Sequence, residues 1–498
     1  MTSSATIIGV LVVYLFILLI IGYWGGKESK NVKGYYVAGK KLPAWVIAFS
    51  TNTTGESAWL ILGLTGMGYL IGAHAFWVIL GEVMGVTLAW VLVARPFKEY
   101  TDRYDAITVP DYLASRFQDN THILRILSAV IIFSMAAFYI AAQITASGKA
   151  FESFVGTSYE MGAIIGAVII LYYTTVGGFK AVAYSDLLQG VLMVACLLIL
   201  PIVGISAAGG WTEMIASLGS IDSNLLKPMG EHGISGLGIA SALGFVAIGF
   251  AFLGSPQLLI RFISAKNTDT ITNASMISVF CAIIFDIGAI FSGMAGRVLF
   301  PLLEDPETIY PLMGTELFPA AFTGIFLVVV LAAIMSTADS LLILASSAVV
   351  RDVIQKVFQP GWSDKTFSRW GKGVTVVLGV IALALALPEV RVIFWFVLFA
   401  WSGLACFTPV ILCSLFWKGT TLAGAIAGLV AGFGATVLWV LVLKEHFYDL
   451  YEMIPGFAMG FLATIIVSLF TKKPEGAIEE FYAVHKSVGS PFKKLINE

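Results

Sequence analysis

Charge is scarce in this chain. Of its 498 residues only 12% are Asp, Glu, Lys or Arg, half the share of about 25% usual in soluble globular proteins. Cysteine is scarcer still. The four present, Cys196, Cys281, Cys406 and Cys413, stand in apolar runs with no CxxC spacing, which excludes a disulfide framework and a cysteine metal site. The five histidines, His74, His122, His232, His446 and His485, fall in loops or at the ends of apolar runs. Neither a zinc centre nor a histidine relay inside a membrane is expected from them. HExxH, GxSxG and an aspartate dyad are missing, and no long polar stretch could house a sensor or enzyme domain, so the chain is not read as an enzyme. The opening MTSSA carries no basic residue. A signal peptide would want one, and the run behind it is read as a retained span. The net charge of −2 says little, and neither a nucleic-acid partner nor an obligate protein partner is expected.

What the chain has in abundance is long apolar runs. Hydrophobic residues make up 58% of it, with a mean hydropathy of +0.91. Runs of eighteen or more recur from end to end, each long enough to cross a hydrocarbon layer of about 30 Å. They are continuous rather than alternating, which excludes a β-barrel. The reading is an all-α membrane protein with 13 spans, near 6–25, 44–70, 74–94, 123–148, 159–178, 184–207, 233–260, 275–296, 319–347, 371–388, 392–416, 420–442 and 455–471. With the N-terminus outside, the inner loops and the tail hold all but five of the 29 basic residues. The exceptions are Lys149, Lys227, Arg297, Arg391 and Lys444. By the positive-inside rule the N-terminus is outside, the C-terminus is cytoplasmic, and the chain is a multi-pass protein of the plasma (inner) membrane.

Five acids lie inside the spans: Glu56, Glu82, Asp186, Asp286 and Asp339. On this reading no Lys or Arg sits near the middle of any span. Each acid costs about 2.5–3.5 kcal/mol at mid-membrane, and a one-signed set of this kind suits a cation pathway. Two spans are interrupted, the second by TNTTGES and the seventh by GFAFLGSPQ. Broken helices at matching places in two halves mark the binding site of transporters built from inverted repeats. Five spans separate the breaks, which divides the chain into 1–43 (span 1 and a cytoplasmic loop), a five-helix repeat at 44–207, a second at 208–416, two further spans at 417–471 and a cytoplasmic tail at 472–498. In span 9, LAAIMSTADSLLILASS places Ser336 and Ser340 on one face with Asp339 adjacent and Thr337 pointing elsewhere. Hydroxyls and a carboxylate are hard ligands for a small cation. Gly424, Gly428 and Gly432 form a small-residue seam for helix packing.

The stretches YYVAGKKLPAW, TVGGFKAVAYSDLLQG, GSPQLLIRFISAKN, LAAIMSTADSLLILASSAVVRD and LYEMIPGFAMGFL resemble the sodium/solute symporters, most closely their sodium/proline branch, over nearly the whole chain. The resemblance implies a leucine-transporter-like five-plus-five inverted repeat with thirteen helices and two of them broken. It also implies a sodium site made by the backbone carbonyls of Thr53, Glu56 and Ala333 with the hydroxyls of Ser336 and Thr337. A second sodium, held in some members, would meet Asp186, Asp339 and Ser340 beside Ser336. The solute would lie against Glu56, Ser57, Trp59, Glu82, Tyr139, Gln143, Ile248, Phe252 and Pro256. Relatives have aspartate where this chain has Gly55, tryptophan and tyrosine where it has Ile248 and Phe252, and arginine where it has Lys40. The expected activity is sodium-coupled import of a small solute, an amino acid such as proline, by alternating access. The alternative is a sodium- or proton-coupled symporter of a small cationic or zwitterionic amine. Proton coupling through Glu56 or Asp339 is the nearest rival, and a channel is the next.

Overall fold

Inside hydrocarbon a backbone must satisfy its own N–H and C=O groups, and a helix does so within one segment. Helices are what these apolar runs form. The computed structural model describes residues 2–27, 29, 31–359, 361–388 and 393–489. α1 (Thr2–Gly26) leads through the short α2 (Val32–Val37) to α3 (Ala44–Ala58). A π-helical turn at Trp59–Leu64 carries the chain into α4 (Thr65–Ile71), and α5 (Phe76–Leu88) continues through a second such turn into α6 (Ala94–Arg103). After α7 (Val109–Arg116) come α8 (Ile123–Val155), α9 (Tyr159–Ala207), α10 (Trp211–Ile221) and α11 (Gly236–Ile248). α12 (Pro256–Ser264), α13 (Thr268–Leu299), α14 (Ile309–Glu316) and α15 (Ala320–Ser347) follow. The remainder is α16 (Asp364–Ala386), α17 (Ile393–Ala405), α18 (Phe407–Phe416), α19 (Leu422–Leu438), α20 (Met453–Leu469) and α21 (Ala477–Val488). Among the described residues the β-structure is one isolated bridge, Leu42 with Ala265. It ties the entry of α3 to the exit of α12.

Among the described residues ten stretches are long and apolar enough to cross a membrane, where thirteen spans are expected from the sequence. The difference has a geometric cause. Residues 44–103 and 159–207 each run as one helical stretch, of 60 and 49 residues. At 1.5 Å per residue these are about 90 and 74 Å long, well over twice the hydrocarbon thickness. Each folds back at a glycine with positive φ, Gly72 (φ 52°) and Gly178 (φ 63°), so the polar loop expected between spans is missing. At Gly178 a Cβ would lie 2.7 Å from Ser29 Oγ and 2.9 Å from the Tyr35 ring, so glycine is required there both for conformation and for space. The third missing span, α20, has 17 residues. The start of the expected span at 392 and the tail beyond 489, with Lys30, Arg391, Lys493 and Lys494, lie outside the described residues.

The centre of the bundle is α15, whose apolar window is entirely buried. It packs on α1, α3, α8, α9 and α16. α19 and α20 pair at the periphery through the expected glycine seam. A Cβ on Gly424 would strike Ser468, one on Gly428 would strike Thr464, and one on Gly432 would meet the backbone of Gly456 and Gly460. The long polar loop after α6 is fastened by charge. Arg125 Nη1 lies 2.6 Å from Asp111 and 2.7 Å from Asp352, and Arg351 Nε lies 3.0 Å from Asp111. Burial alone would lift the Asp111 carboxyl, but Arg351 and Arg125 outweigh it and hold the group below its ordinary value. A carboxyl depressed on folding stabilises the fold above its unfolded value, about pH 3.9. That stabilisation is lost as the pH falls through the depressed value.

Two outcomes are expected in thermal unfolding of detergent-solubilised protein. Asp111→Asn removes one partner of a buried pair and should cost about 3–5 kcal/mol, with the difference from the parent shrinking on acidification. Gly428→Leu should cost about 1–3 kcal/mol by overpacking the seam, while a leucine at Gly434, where a Cβ meets nothing within 4 Å, should leave the melting temperature unchanged.

Candidate functional site

The first break is narrower than the sequence suggests. TNTTGE stays helical: the hydroxyls of Thr51 and Thr53 donate back to the carbonyls of Ile47 (2.6 Å) and Phe49 (3.0 Å), keeping the polar run inside α3. The helix breaks at Ser57 alone, with φ 56° and ψ −167°, a conformation other residues than glycine adopt only when their surroundings force it. The freed N–H groups find partners at once. Ala58 N donates to Gln143 Oε1 on α8 (3.1 Å), and Trp59 N to Ser57 Oγ (3.1 Å). Trp59 N also reaches the Glu56 carbonyl.

Facing this break, α15 presents its hydroxyls to the carbonyls of α3. Ser336 Oγ lies 3.0 Å from Thr53 O and 3.1 Å from Ala333 O. Thr337 Oγ1 donates to Thr54 O (3.1 Å), one residue further along than the expected ligand carbonyls. Thr54 Oγ1 lies 3.0 Å from Ser336 O and 3.2 Å from Ser340 Oγ. Four of the expected sodium ligands, Thr53, Ala333, Ser336 and Thr337, thus sit at one α3–α15 seam, and the Glu56 carbonyl lies at the break beside it.

Next to this seam the sequence reading needs a correction. Arg261, placed there in an inner loop, lies within α12 and is fully buried. Its Nη2 is 3.2 Å from Asp186 Oδ2 and 2.6 Å from Thr54 Oγ1, and it also reaches Ser340 Oγ; its Nε is 3.1 Å from Ser50 Oγ. Asp339 accepts from the Tyr173 hydroxyl and from Ser340 Oγ at 3.2 Å. The residues expected around a second sodium are therefore together, but with a guanidinium among them. The assertion that the intramembrane acids lack a basic neighbour fails for Asp186.

Among the described residues it holds for Glu56, Glu82 and Asp286. These three acids, on α3, α5 and α13, are each at most 2% exposed and bring carboxylate oxygens within 4.8 Å of one another. Both oxygens of Glu56, both of Asp286 and Oε2 of Glu82 have no hydrogen-bond partner. Glu82 reaches this position because α5 lies backbone to backbone against the second break: a Cβ on Gly249 would stand 2.5 Å from Glu82 N. That break spans Gly249–Ser255, a tight 3₁₀ turn followed by Pro256 at the first position of α12. Trp401 of α17 donates to the Ile248 carbonyl (2.9 Å) and sets its ring 5.5 Å from Phe252 and 6.5 Å from Tyr139. The Phe252 ring would lie 2.6 Å from a Cβ at Gly55, so it rests on the bare helix at that glycine. Tyr139, Gln143, Trp59, Ser57, Phe252 and Pro256 all border the two breaks. Ile248 does so through its carbonyl.

The residues the sequence reading misses are Arg261, Asp286 as a partner of the two glutamates, Trp401 and Gln257. Gln257 is fully buried next to Pro256, with neither amide atom partnered. A polar residue directly after the GSP break was the available signal for it. For Arg261 the signal was the shortness of a half-helix that starts at Pro256.

Comparison with known proteins fits this geometry. Residues 35–432 match the profile described as the sodium:solute symporter family. The high-affinity proline transporter PutP of Bacillus subtilis is 34% identical over 469 residues, covering 93% of this chain and 98% of that protein. The sodium/proline symporter of Staphylococcus aureus is 33% identical over 484 residues, covering 94% and 93%. Among solved structures, a sodium-coupled sialic acid symporter in a substrate-bound outward-open state superposes with a TM-score of 0.81 at 18% identity, over 94% of this chain and 98% of that one. A nucleobase-cation-symport-1 transporter, Mhp1, closed on bromovinylhydantoin, gives 0.57 at 14% identity, over 92% and 99%. The first of these likenesses gives the fold, and the profile and the proline transporters give the kinship. With its broken helices and its α3–α15 seam, the chain belongs to the sodium:solute symporter family.

Proposed function

We propose that this protein carries proline, or a closely similar amino acid, into the cell together with sodium by alternating access. It does so from the plasma membrane, with thirteen crossings, the N-terminus outside and the C-terminus in the cytoplasm. Residues 44–207 and 208–416 act as the two five-helix halves. The observation that carries the reading is the seam where the hydroxyls of Ser336 and Thr337 meet the carbonyls of Thr53 and Thr54 beside the break at Ser57. These are hard oxygen donors on two elements that can part. Sodium, held by the carbonyls of Thr53, Glu56 and Ala333 and the hydroxyls of Ser336 and Thr337, would replace the hydrogen bonds between α3 and α15 and fix their distance. The solute would lie between the breaks, against Ser57, Trp59, Tyr139, Gln143, Phe252 and Pro256. The amide of Ala58, now on Gln143, is one of the donors freed for a carboxylate.

Coupling requires only that both ligands favour the same state, each tightening the other. A tenfold sodium gradient is worth about 1.4 kcal/mol and one charge moving through 100 mV about 2.3 kcal/mol. Together they sustain a solute gradient of roughly 500-fold per sodium.

A second reading has its own observation. Three clustered acids, Glu56, Glu82 and Asp286, without an ion-pair partner among the described residues suit a solute that brings a positive group, which favours a small cationic amine over a zwitterion.

Labelled proline taken up by proteoliposomes under an inward sodium gradient, and not when potassium replaces sodium, is the expected result. Uptake of proline that persists unchanged in potassium would overturn sodium coupling. Ser336→Ala should raise the sodium concentration for half-maximal uptake about tenfold or more, the loss of one charge-assisted contact of at least 1.4 kcal/mol. If the solute is a cationic amine, sodium-driven uptake of proline is absent and labelled amines are taken up instead. Glu82→Gln then raises their half-saturating concentration by about tenfold or more.

A further inference from the structure

A groove opens on the outer face of the bundle where α8, α16 and the π-helical continuation of α15 (Ala348–Phe358) meet. Its volume is about 620 Å³, within the range of about 300–1,000 Å³ usual for small-ligand sites. Val130 and Phe133 form one wall, Val353 the second, and Gly373 and Val377 the third, with Trp370 nearest the start of α16. Apart from the Trp370 indole, the one polar lining side chain is Ser134. Its hydroxyl donates to its own helix at Val130 O (2.8 Å). The walls therefore offer contact to an apolar chain along their length and almost nothing to a polar molecule.

Charge gathers at one end of this groove. Lys365, Arg369, Gly373 and Val377 follow one another at intervals of four, so one face of α16 runs from the apolar wall straight into two cationic side chains. Both are exposed. Lys356 stands near the end of the α15 continuation, on the same side. Arg125 and Arg351 are held by Asp111 and Asp352, but Lys356, Lys365 and Arg369 form no ion pair among the described residues. The single acid of α16 is Asp364, at its first residue. Trp362 and Trp370 stack beside these bases with their rings 5.8 Å apart, and a membrane–water interface is where tryptophan gathers. With the orientation given above, this end is the cytoplasmic one.

We propose that the groove is a binding site for an anionic phospholipid of the inner leaflet. One acyl chain lies along Phe133, Val353 and Val377, and the phosphate head group meets Arg369, Lys365 and Lys356. Basic pockets between helices on the cytoplasmic side are where such head groups are held. The unpaired bases select an anionic lipid over a zwitterionic one, and the concave walls hold a chain that a convex helix face would release. The lipid would touch α8, which carries Gln143, and the continuation of α15, which carries Ser336 and Thr337. It would thus sit against the two helices that close the first break, whichever solute and ion are carried.

The test is native mass spectrometry of the purified full-length protein in detergent, with equimolar phosphatidylglycerol and phosphatidylcholine of the same acyl chains. The first lipid retained by the parent should be phosphatidylglycerol, preferred by about 25-fold or more. That is about fivefold for each of two bases, equivalent to about 1 kcal/mol apiece. Lys365→Gln combined with Arg369→Gln should bring the preference close to 1. Gly373→Trp should fill the groove and abolish retention of that lipid. A Cβ at Gly373 meets nothing within 4 Å, so this variant should keep the parent's melting temperature. A parent that retains the two lipids equally overturns the proposal without reference to any variant. A folded double variant with the parent's preference overturns it too, as does a folded Gly373→Trp that still retains the lipid.

Discussion

A helix broken inside a bilayer frees backbone groups that no water can reach, and every other feature of this structure follows from how those groups are met. At Ser57 the amides go to Gln143 on α8 and to the serine's own hydroxyl, and the carbonyls just before the break receive hydroxyls from α15. At the second break the Ile248 carbonyl is taken by the Trp401 indole, and the amides of Gly254 and Ser255 turn back to Ala251 O. Each break is closed in part by a neighbour rather than by its own helix alone. Its stability thus depends on where that neighbour stands, which suits two parts that must exchange partners during a transport cycle. It also explains why α15 is buried all round: it is the partner on which the first break closes, and α1, α8, α9 and α16 surround it.

Hydropathy makes most of this architecture legible. The apolar runs of α1, α8, α13 and α15 fall where the helices do, and the proline and glycines of GFAFLGSPQ mark the second break. Turns made by a single residue leave no such trace. Gly178 breaks the helix between two apolar stretches with a single residue of positive φ, so a search for polar loops expects a loop near 180 where one glycine makes the turn. The extent of the first break is likewise hidden. Threonines after apolar residues suggest unwinding, but Thr51 and Thr53 bond to their own helix and hold it together, leaving Ser57 to take the strain. Thr337 shows the limit of reasoning by helical face: it points about 100° away from Ser336, yet α3 lies along that edge and both hydroxyls reach it.

Charge is where sequence reasoning goes most astray, for a simple reason. A guanidinium ends an apolar window, so Arg261 reads as the first residue of a loop. Only the pairing with Asp186 and the burial of the whole of α12 place it inside. The acids divide accordingly. Asp186 and Asp339 have donors from several helices, while Glu56, Glu82 and Asp286 have one another. Two acidic clusters of different character therefore flank the broken segment of α3, one with a guanidinium of the chain among its carboxylates and one with none among the described residues.

The Asp186–Arg261 pair also sets an order for biosynthesis. The two residues are 75 positions apart, and at about 5–20 residues per second a ribosome needs roughly 4–15 s to make that length. Throughout that interval Asp186 already exists and its guanidinium partner does not. Of the groups that surround Asp186 in the finished protein, Ser50, 2.6 Å away, has been made by then, so α3 is the first element able to shelter the aspartate during insertion. The first half of the protein thus has a reason to associate before the second emerges, and α12, when it arrives, meets a place that α3 and α9 have already prepared.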